Sequence, residues 1–168
     1  MNIILIGFMG SGKSAVGHLL AEKMGMQYLD CDELIVQAEK MPITAIFTLK
    51  GEKYFRDLET EVIKTLADYD NFVIASGGGM VLRAENVKML KGIGPLVLLW
   101  AEPEVIYTRI QYQTHRPLLQ VPDPKAEIET RLMERKPLYE TAADYVLNTS
   151  KLSVSDSADR IIQWIKLR

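Results

Sequence analysis

The stretch Ile3-Ile4-Leu5-Ile6-Gly7-Phe8-Met9-Gly10-Ser11-Gly12-Lys13-Ser14 decides how the rest of the chain is read. Its first four residues are a short continuous apolar run, the pattern of a parallel strand covered on both faces. Its last eight match G-x-x-x-x-G-K-[ST], and beyond them Val16, Leu19, Leu20 and Met24 recur at helical spacing until Gly25. Strand, glycine loop and helix, in that order, are the setting this motif requires. Glycines let the backbone fold around an anion, successive N–H groups turn inward, and the helix offers its positive end. Gly10, Ser11, Gly12, Lys13, Ser14 and Ala15 are the expected nucleotide contacts, with Lys13 reaching the β and γ phosphates and Ser14 ligating Mg²⁺. At a background of roughly 6% per fixed residue, a chance match arises in on the order of one chain of this length in 200. A surface lysine on a glycine turn is therefore the weaker reading. The motif does not separate a kinase from an ATPase, a GTPase or a nucleotide-dependent switch.

Strand and helix patterns alternate through the remainder. Gln27 to Leu29 reads as a second strand running into Asp30 and Asp32, then a helix with Leu34 and Ile35 inward, interrupted by Pro42. Ile43 to Tyr69 reads as helix in two pieces divided near Gly51, with Phe55, Leu58, Val62 and Leu66 as one apolar stripe. Phe72 to Ala75 is a third strand entering Ser76-Gly77-Gly78-Gly79, a helix follows over Ala84 to Leu90, and Leu96 to Trp100 is a fourth strand. Helices over Pro103 to Tyr112 and Lys125 to Glu140 precede a last strand, Asp144 to Leu147, and a closing helix with Ala158, Ile161, Ile162 and Ile165 inward. Such alternation predicts an α/β fold: a five-stranded parallel sheet flanked by helices on both faces, with ligands at the carboxyl ends of the strands. One domain over residues 1–168 is expected. Gln111 to Pro124 is polar, carries Pro117, Pro122 and Pro124 and lacks periodicity; it reads as a mobile lid or a surface loop.

Composition narrows the function classes. With 168 residues, 48% hydrophobic and 25% charged, the chain suits one water-soluble globular domain. A net charge of −2 supplies no basic field, so nucleic acid is not an expected partner. No window approaches the roughly 20 apolar residues of a spanning helix, which points away from a membrane and toward the cytoplasm. Cys31 is the single cysteine, flanked by Asp30 and Asp32, and reads as inert packing. His18 and His115 are isolated and the methionines show no ligand spacing, so Mg²⁺ accompanying ATP is the only cofactor expected. Nothing demands more than a monomer.

The loop and four later signatures together resemble shikimate kinases. These signatures are Asp30-Cys31-Asp32, Phe55-Arg56-Asp57-Leu58-Glu59, Gly77-Gly78-Gly79, and Arg116-Pro117-Leu118-Leu119 paired with Arg135-Lys136-Pro137-Leu138-Tyr139. Each is weak alone; their shared order across roughly residues 3 to 147 is specific. The resemblance implies a P-loop kinase fold like that of nucleoside monophosphate kinases, with a lid near 111–124 and a substrate-binding helical segment near 32–60. It implies ATP and shikimate as substrates, phosphorylation of the 3-hydroxyl, and Asp32, Arg56, Gly78 and Arg135 around the acid. Asp30 falls to the outer sphere of Mg²⁺, Arg116 to the departing phosphate and Arg109 to the adenine. Asp30 and Asp32, two apart on an extended segment, are expected to face one side of the cleft. Asp32 would orient the attacking hydroxyl or accept its proton; orientation ranks first because phosphoryl transfer depends chiefly on positioning. A bidentate hold on a carboxylate needs arginine, which Arg56 and Arg135 provide. Gluconate or a nucleoside monophosphate is the alternative acceptor. A GTPase switch would need an Asn-Lys-x-Asp motif, which the sequence lacks. Asn148 or Ser150 could meet the base.

Overall fold

The structure, a computed structural model, describes residues 1–113 and 116–168. The readings of His115 and of that part of the lid lie outside the described residues. Five strands form one parallel sheet: β1 (Ile3–Ile6), β2 (Gln27–Asp30), β3 (Phe72–Ala75), β4 (Leu96–Trp100) and β5 (Tyr145–Asn148), in the order β2-β3-β1-β4-β5. The helices are α1 (Lys13–Met24), α2 (Cys31–Glu39), α3 (Ile43–Lys50), α4 (Glu52–Thr65), α5 (Ala84–Ile93), α6 (Pro103–Ile110), α7 (Pro124–Ala142) and α8 (Val154–Lys166).

The continuous apolar strands are explained by the two layers that cover them. Ile3 and Leu5 of β1 pack with Val16, Leu20 and Ala21 of α1 and with Ala158 and Ile161 of α8. Ile4 and Ile6 turn the other way, onto Ile63 of α4, Leu90 of α5, and Ile128 and Leu132 of α7. Each fully buried side chain of this size contributes about 1.5–3 kcal/mol over leaving it exposed. A small separate core of Ile35, Ile46 and Phe55 joins α2, α3 and α4.

Strand order sets the place of the site. From β1 the chain crosses to β2 on one side; from the adjacent β3 it crosses to β4 on the other. Their exit loops part there, and the resulting crevice is where open α/β sheets bind ligands.

Beyond small shifts of α5, α7 and β5 by one to three residues, two details differ from the sequence reading. The second strand stops at Asp30, and Asp32 lies in the first turn of α2. The Asp30 carboxylate causes this: its Oδ1 accepts from the N–H groups of Asp32 at 2.8 Å and Glu33 at 3.3 Å, an N-cap that starts the helix. Asp30 and Asp32 are therefore not neighbours on one extended face. Second, α6 ends at Ile110 rather than Tyr112. Pro137 does sit inside α7; it has no N–H to offer the carbonyl four residues earlier, that of Met133, an exposed residue.

Candidate active site

The loop between β1 and α1 carries Gly10 at φ 74° and Gly12 at φ 106°, both in the left-handed region that favours glycine. Gly12 caps α1, and no side chain takes up the first helical N–H groups. That leaves the donor-rich helix end available to an anion. Lys13 curls back over the loop, its Nζ donating to the Gly7 carbonyl at 2.6 Å and the Phe8 carbonyl at 3.0 Å. Burial pushes the Lys13 ammonium down to about 8; Asp32 and Asp30 pull it up, while Arg116 and Arg135 push it further down. Ser14 and Ala15 are exposed at the head of the helix. The buried Ser11 Oγ finds no partner among the described residues.

Asp32 stands opposite. Burial raises its carboxyl above the usual range and Asp30 adds to the rise, against the attraction of Lys13, Arg116 and Arg56. These interactions draw Lys13, Asp30, Asp32, Arg56, Arg116 and Arg135 into one electrostatic cluster. The sequence reading expects these groups together; a helix cap rather than strand alternation brings Asp30 and Asp32 into the cluster.

The turn after β3 brings the two walls to close quarters. A Cβ on Gly77 would stand 2.8 Å from both Asp32 Oδ1 and Glu59 Oε2, and one on Gly79 would stand 2.1 Å from Arg56 Nη1. At Gly78 nothing comes nearer than 3.7 Å: a Cβ there would project between Gly7 and Met9 of the loop and, at 3.9 Å, Arg135 Nη1. A Cβ at Gly77 or Gly79 would therefore displace the carboxylate or guanidinium ends beside it, whereas one at Gly78 would meet only ordinary contacts. The Tyr139 hydroxyl donates to the Gly78 carbonyl and fixes this turn from α7. Arg56 is held by Glu59, Nη1 to Oε1 at 2.6 Å, and lies against the Phe55 ring at 5.4 Å from its centroid. Arg135 is set over the Phe8 ring, also at 5.4 Å. Asp32 Oδ1, Glu59 Oε2 and Arg56 Nε are buried without a partner among the described residues. These buried polar atoms of both charges line one cleft and are open to pairing with water or a bound ligand.

Arg116 enters this cleft. Its Nε donates to Gln113 Oε1, its Nη1 lies 3.8 Å from the Met9 sulfur, and Asp32 faces it electrostatically. Arg109 lies elsewhere: its Nη1 donates to the Gly10 carbonyl at 3.0 Å and to Thr149 Oγ1 at 3.3 Å, and its Nη2 donates to the Thr149 carbonyl at 3.0 Å. Thr149, rather than Asn148 or Ser150, is what joins the end of β5 to the phosphate loop, donating to the Ser11 carbonyl at 2.9 Å. Asn148 and Ser150 are instead tied to Glu102.

Glu59, Tyr139 and Thr149 were not singled out from the sequence. Glu59 had a readable signal: a charged residue four positions after Phe55 and four before Ile63, inside an apolar stripe, demands a buried partner. Thr149 had none.

For a cation the cleft offers hard oxygen donors, the Ser14 hydroxyl and the Asp30 carboxylate. Among the described residues no group of three or more His, Cys, Asp and Glu side chains could form a protein cage. This set fits Mg²⁺, which prefers few protein ligands together with water and phosphate oxygens.

A phosphate-cradling loop facing two guanidinium groups across a carboxylate-lined crevice places the chain among the P-loop kinases of small molecules. A profile of the shikimate kinase family matches residues 9–166. Shikimate kinase of Thermodesulfovibrio yellowstonii is 47% identical over 96% of this chain and 93% of its own length. That of Symbiobacterium thermophilum is 42% identical over 100% and 98%. The solved structure of shikimate kinase from Acinetobacter baumannii in complex with shikimate superposes with a TM-score of 0.93 at 38% identity, covering 98% of this chain and 92% of that one. The chain belongs to the shikimate kinase family.

Proposed function

We propose that the chain transfers the γ-phosphoryl group of ATP to the 3-hydroxyl of shikimate, releasing ADP and shikimate 3-phosphate. The observation that carries this reading is the triple glycine wedged between the phosphate loop and the Arg56 and Arg135 guanidinium groups, with Asp32 against Gly77. The relative from Acinetobacter baumannii was solved with shikimate, and the residues around this cleft suit that acid.

In this reading Gly10 to Ala15 wrap the phosphates and Lys13 gives up its loop carbonyls for phosphate oxygens. Arg56 and Arg135 hold the carboxylate as paired planar donors. Asp32 orients the attacking hydroxyl, and Gly78 leaves room for the ring. The hydroxyl oxygen bonds to phosphorus as the bond from phosphorus to the bridging oxygen of ADP breaks, and the hydroxyl proton leaves through Asp32 or water. Arg116 and Lys13 balance charge on the departing group. Ser14 and Asp30 are the residues that would hold the Mg²⁺ brought by ATP, and the ion would supply neutralisation of phosphate charge there. Residues 111–124 act as lid, residues 32–60 carry the acid side, and Arg109 borders the adenine. The enzyme works as a cytoplasmic monomer on these small molecules alone; no helix among the described residues is long and apolar enough to cross a membrane.

The test is ADP release with ATP and Mg²⁺ against shikimate, gluconate, AMP and CMP. Turnover with shikimate alone is expected; turnover only with a nucleotide or gluconate overturns the assignment.

A further inference from the structure

Thr60 and Asn86 are buried polar residues with no part in the activity as read so far. Thr60 lies on α4, one turn after Arg56, and Asn86 lies in the first turn of α5. Asn86 Nδ2 donates to the Met80 carbonyl at 3.0 Å, and the Thr60 hydroxyl oxygen stands 2.9 Å from Asn86 Oδ1. The same hydroxyl oxygen is 3.2 Å from the Arg56 carbonyl and 3.2 Å from Arg83 Nη1. Arg83 Nη2 in turn pairs with Asp57 Oδ1 at 2.9 Å.

These partners fix the direction of every proton. A backbone carbonyl only accepts, so the Asn86 amide turns its NH₂ to Met80 and its oxygen to Thr60. A guanidinium only donates, so the Thr60 oxygen accepts from Arg83 and sends its one proton to Asn86, the nearer of its two acceptors. Arg56 is bracketed by this chain. Its guanidinium rests on Gly79, where a Cβ would come 2.1 Å from Nη1, and Met80 is the residue that follows. Its own carbonyl lies against the Thr60 hydroxyl, and Arg83 holds Asp57, its neighbour on the helix. A buried polar network with its partners satisfied rigidifies what it joins. Here it joins the helix that carries Arg56 to the turn on which that guanidinium rests.

We propose that Thr60 is a positioning residue for the acid site: through Asn86 its hydroxyl sets the height of Arg56 over the glycine turn, and with it the grip on a substrate carboxylate. The inference rests on the acid half of the function proposed above.

The test compares the unaltered chain with Thr60→Val, which keeps the shape of the side chain and removes the hydroxyl. Calorimetry well below the melting temperature gives the affinities for shikimate and for ADP with Mg²⁺. Thr60→Val should weaken shikimate binding roughly fivefold, as expected for one neutral hydrogen bond, and leave the affinity for ADP as it is. Thr60→Ser, which retains the hydroxyl, should bind shikimate as the unaltered chain does. In an Arg56→Ala background Thr60→Val should cost no further affinity, because its effect runs through Arg56. Arg83→Met, which loosens the chain from its more exposed end, should weaken shikimate binding in the same direction. A Thr60→Val chain that melts lower yet binds shikimate undiminished shows a scaffold role only and overturns the proposal. An equal loss of ADP affinity, a loss in Thr60→Ser as large as in Thr60→Val, an undiminished effect in the Arg56→Ala background or an unmoved affinity in Arg83→Met overturns it too. A chain that shows the expected pattern of binding yet phosphorylates no shikimate sinks the functional reading and leaves this one standing.

Discussion

Burial holds the Lys13 ammonium at about 8, whereas a lysine in an unfolded chain titrates near 10.4. Between those values the unfolded chain binds more protons than the folded one. This group alone therefore makes stability rise with pH across that window, and its cost is fully present below it. Phosphate brought to the same ammonium restores the proton. Binding of ADP should accordingly take up little proton near pH 7 and about half a proton near pH 8. Calorimetry in buffers of different ionisation enthalpy reads that uptake, and Lys13→Met should abolish it. Across the cleft, Arg56→Ala removes a charge-assisted contact worth about 1.5–3 kcal/mol, so KM for shikimate should rise roughly tenfold or more. KM for ATP should barely change; steady-state kinetics with each substrate varied in turn would expose equal effects on both.

The turn after β3 passes from tight packing to ordinary contact and back within three residues. Gly77→Ala and Gly79→Ala drive a methyl group into Asp32, Glu59 or Arg56 at 2.8 Å or less, so both should lower the melting temperature and dislodge the acid-side groups. Gly78→Ala meets ordinary contacts of 3.7 Å and longer. It should leave the melting temperature unchanged and raise KM for shikimate. A matching loss of stability in all three would contradict that division. This turn also shows where sequence reading stops. The family resemblance points to Gly78 beside the acid; the two flanking positions are the tighter ones, because the side chains against them come from α2 and α4. The Asp30 and Asp32 pair is legible as two carboxylates at the end of a strand, but strand alternation does not describe its geometry, because a capping carboxylate starts a helix there. Arg56 and Arg135 needed the resemblance, as a helix arginine looks the same in sequence whether it faces solvent or a cleft.

The sheet as a whole was readable because buried parallel strands are continuous apolar runs and each is closed by a turn. Its order was not, for no local pattern says that β3 lies between β2 and β1. Nor could sequence show that Thr149, at the far end of the chain, anchors the first loop. Leu98 is fully buried in β4, beside β1. Leu98→Ala should cost about 2–5 kcal/mol of stability by leaving a cavity, read as a lower urea midpoint with an unchanged slope. Two cores, one on each sheet face, hold the phosphate loop at the end of β1 and the glycine turn at the end of β3 as neighbours. That arrangement suits one event, the passage of a phosphoryl group across the crevice. Phosphorus NMR of a reaction containing the chain, ATP, Mg²⁺ and shikimate tests it most directly. The account predicts a single phosphomonoester coupled to the ring hydrogen at carbon 3, formed in step with ADP. ADP accompanied by inorganic phosphate, or phosphate on any other oxygen, would contradict it.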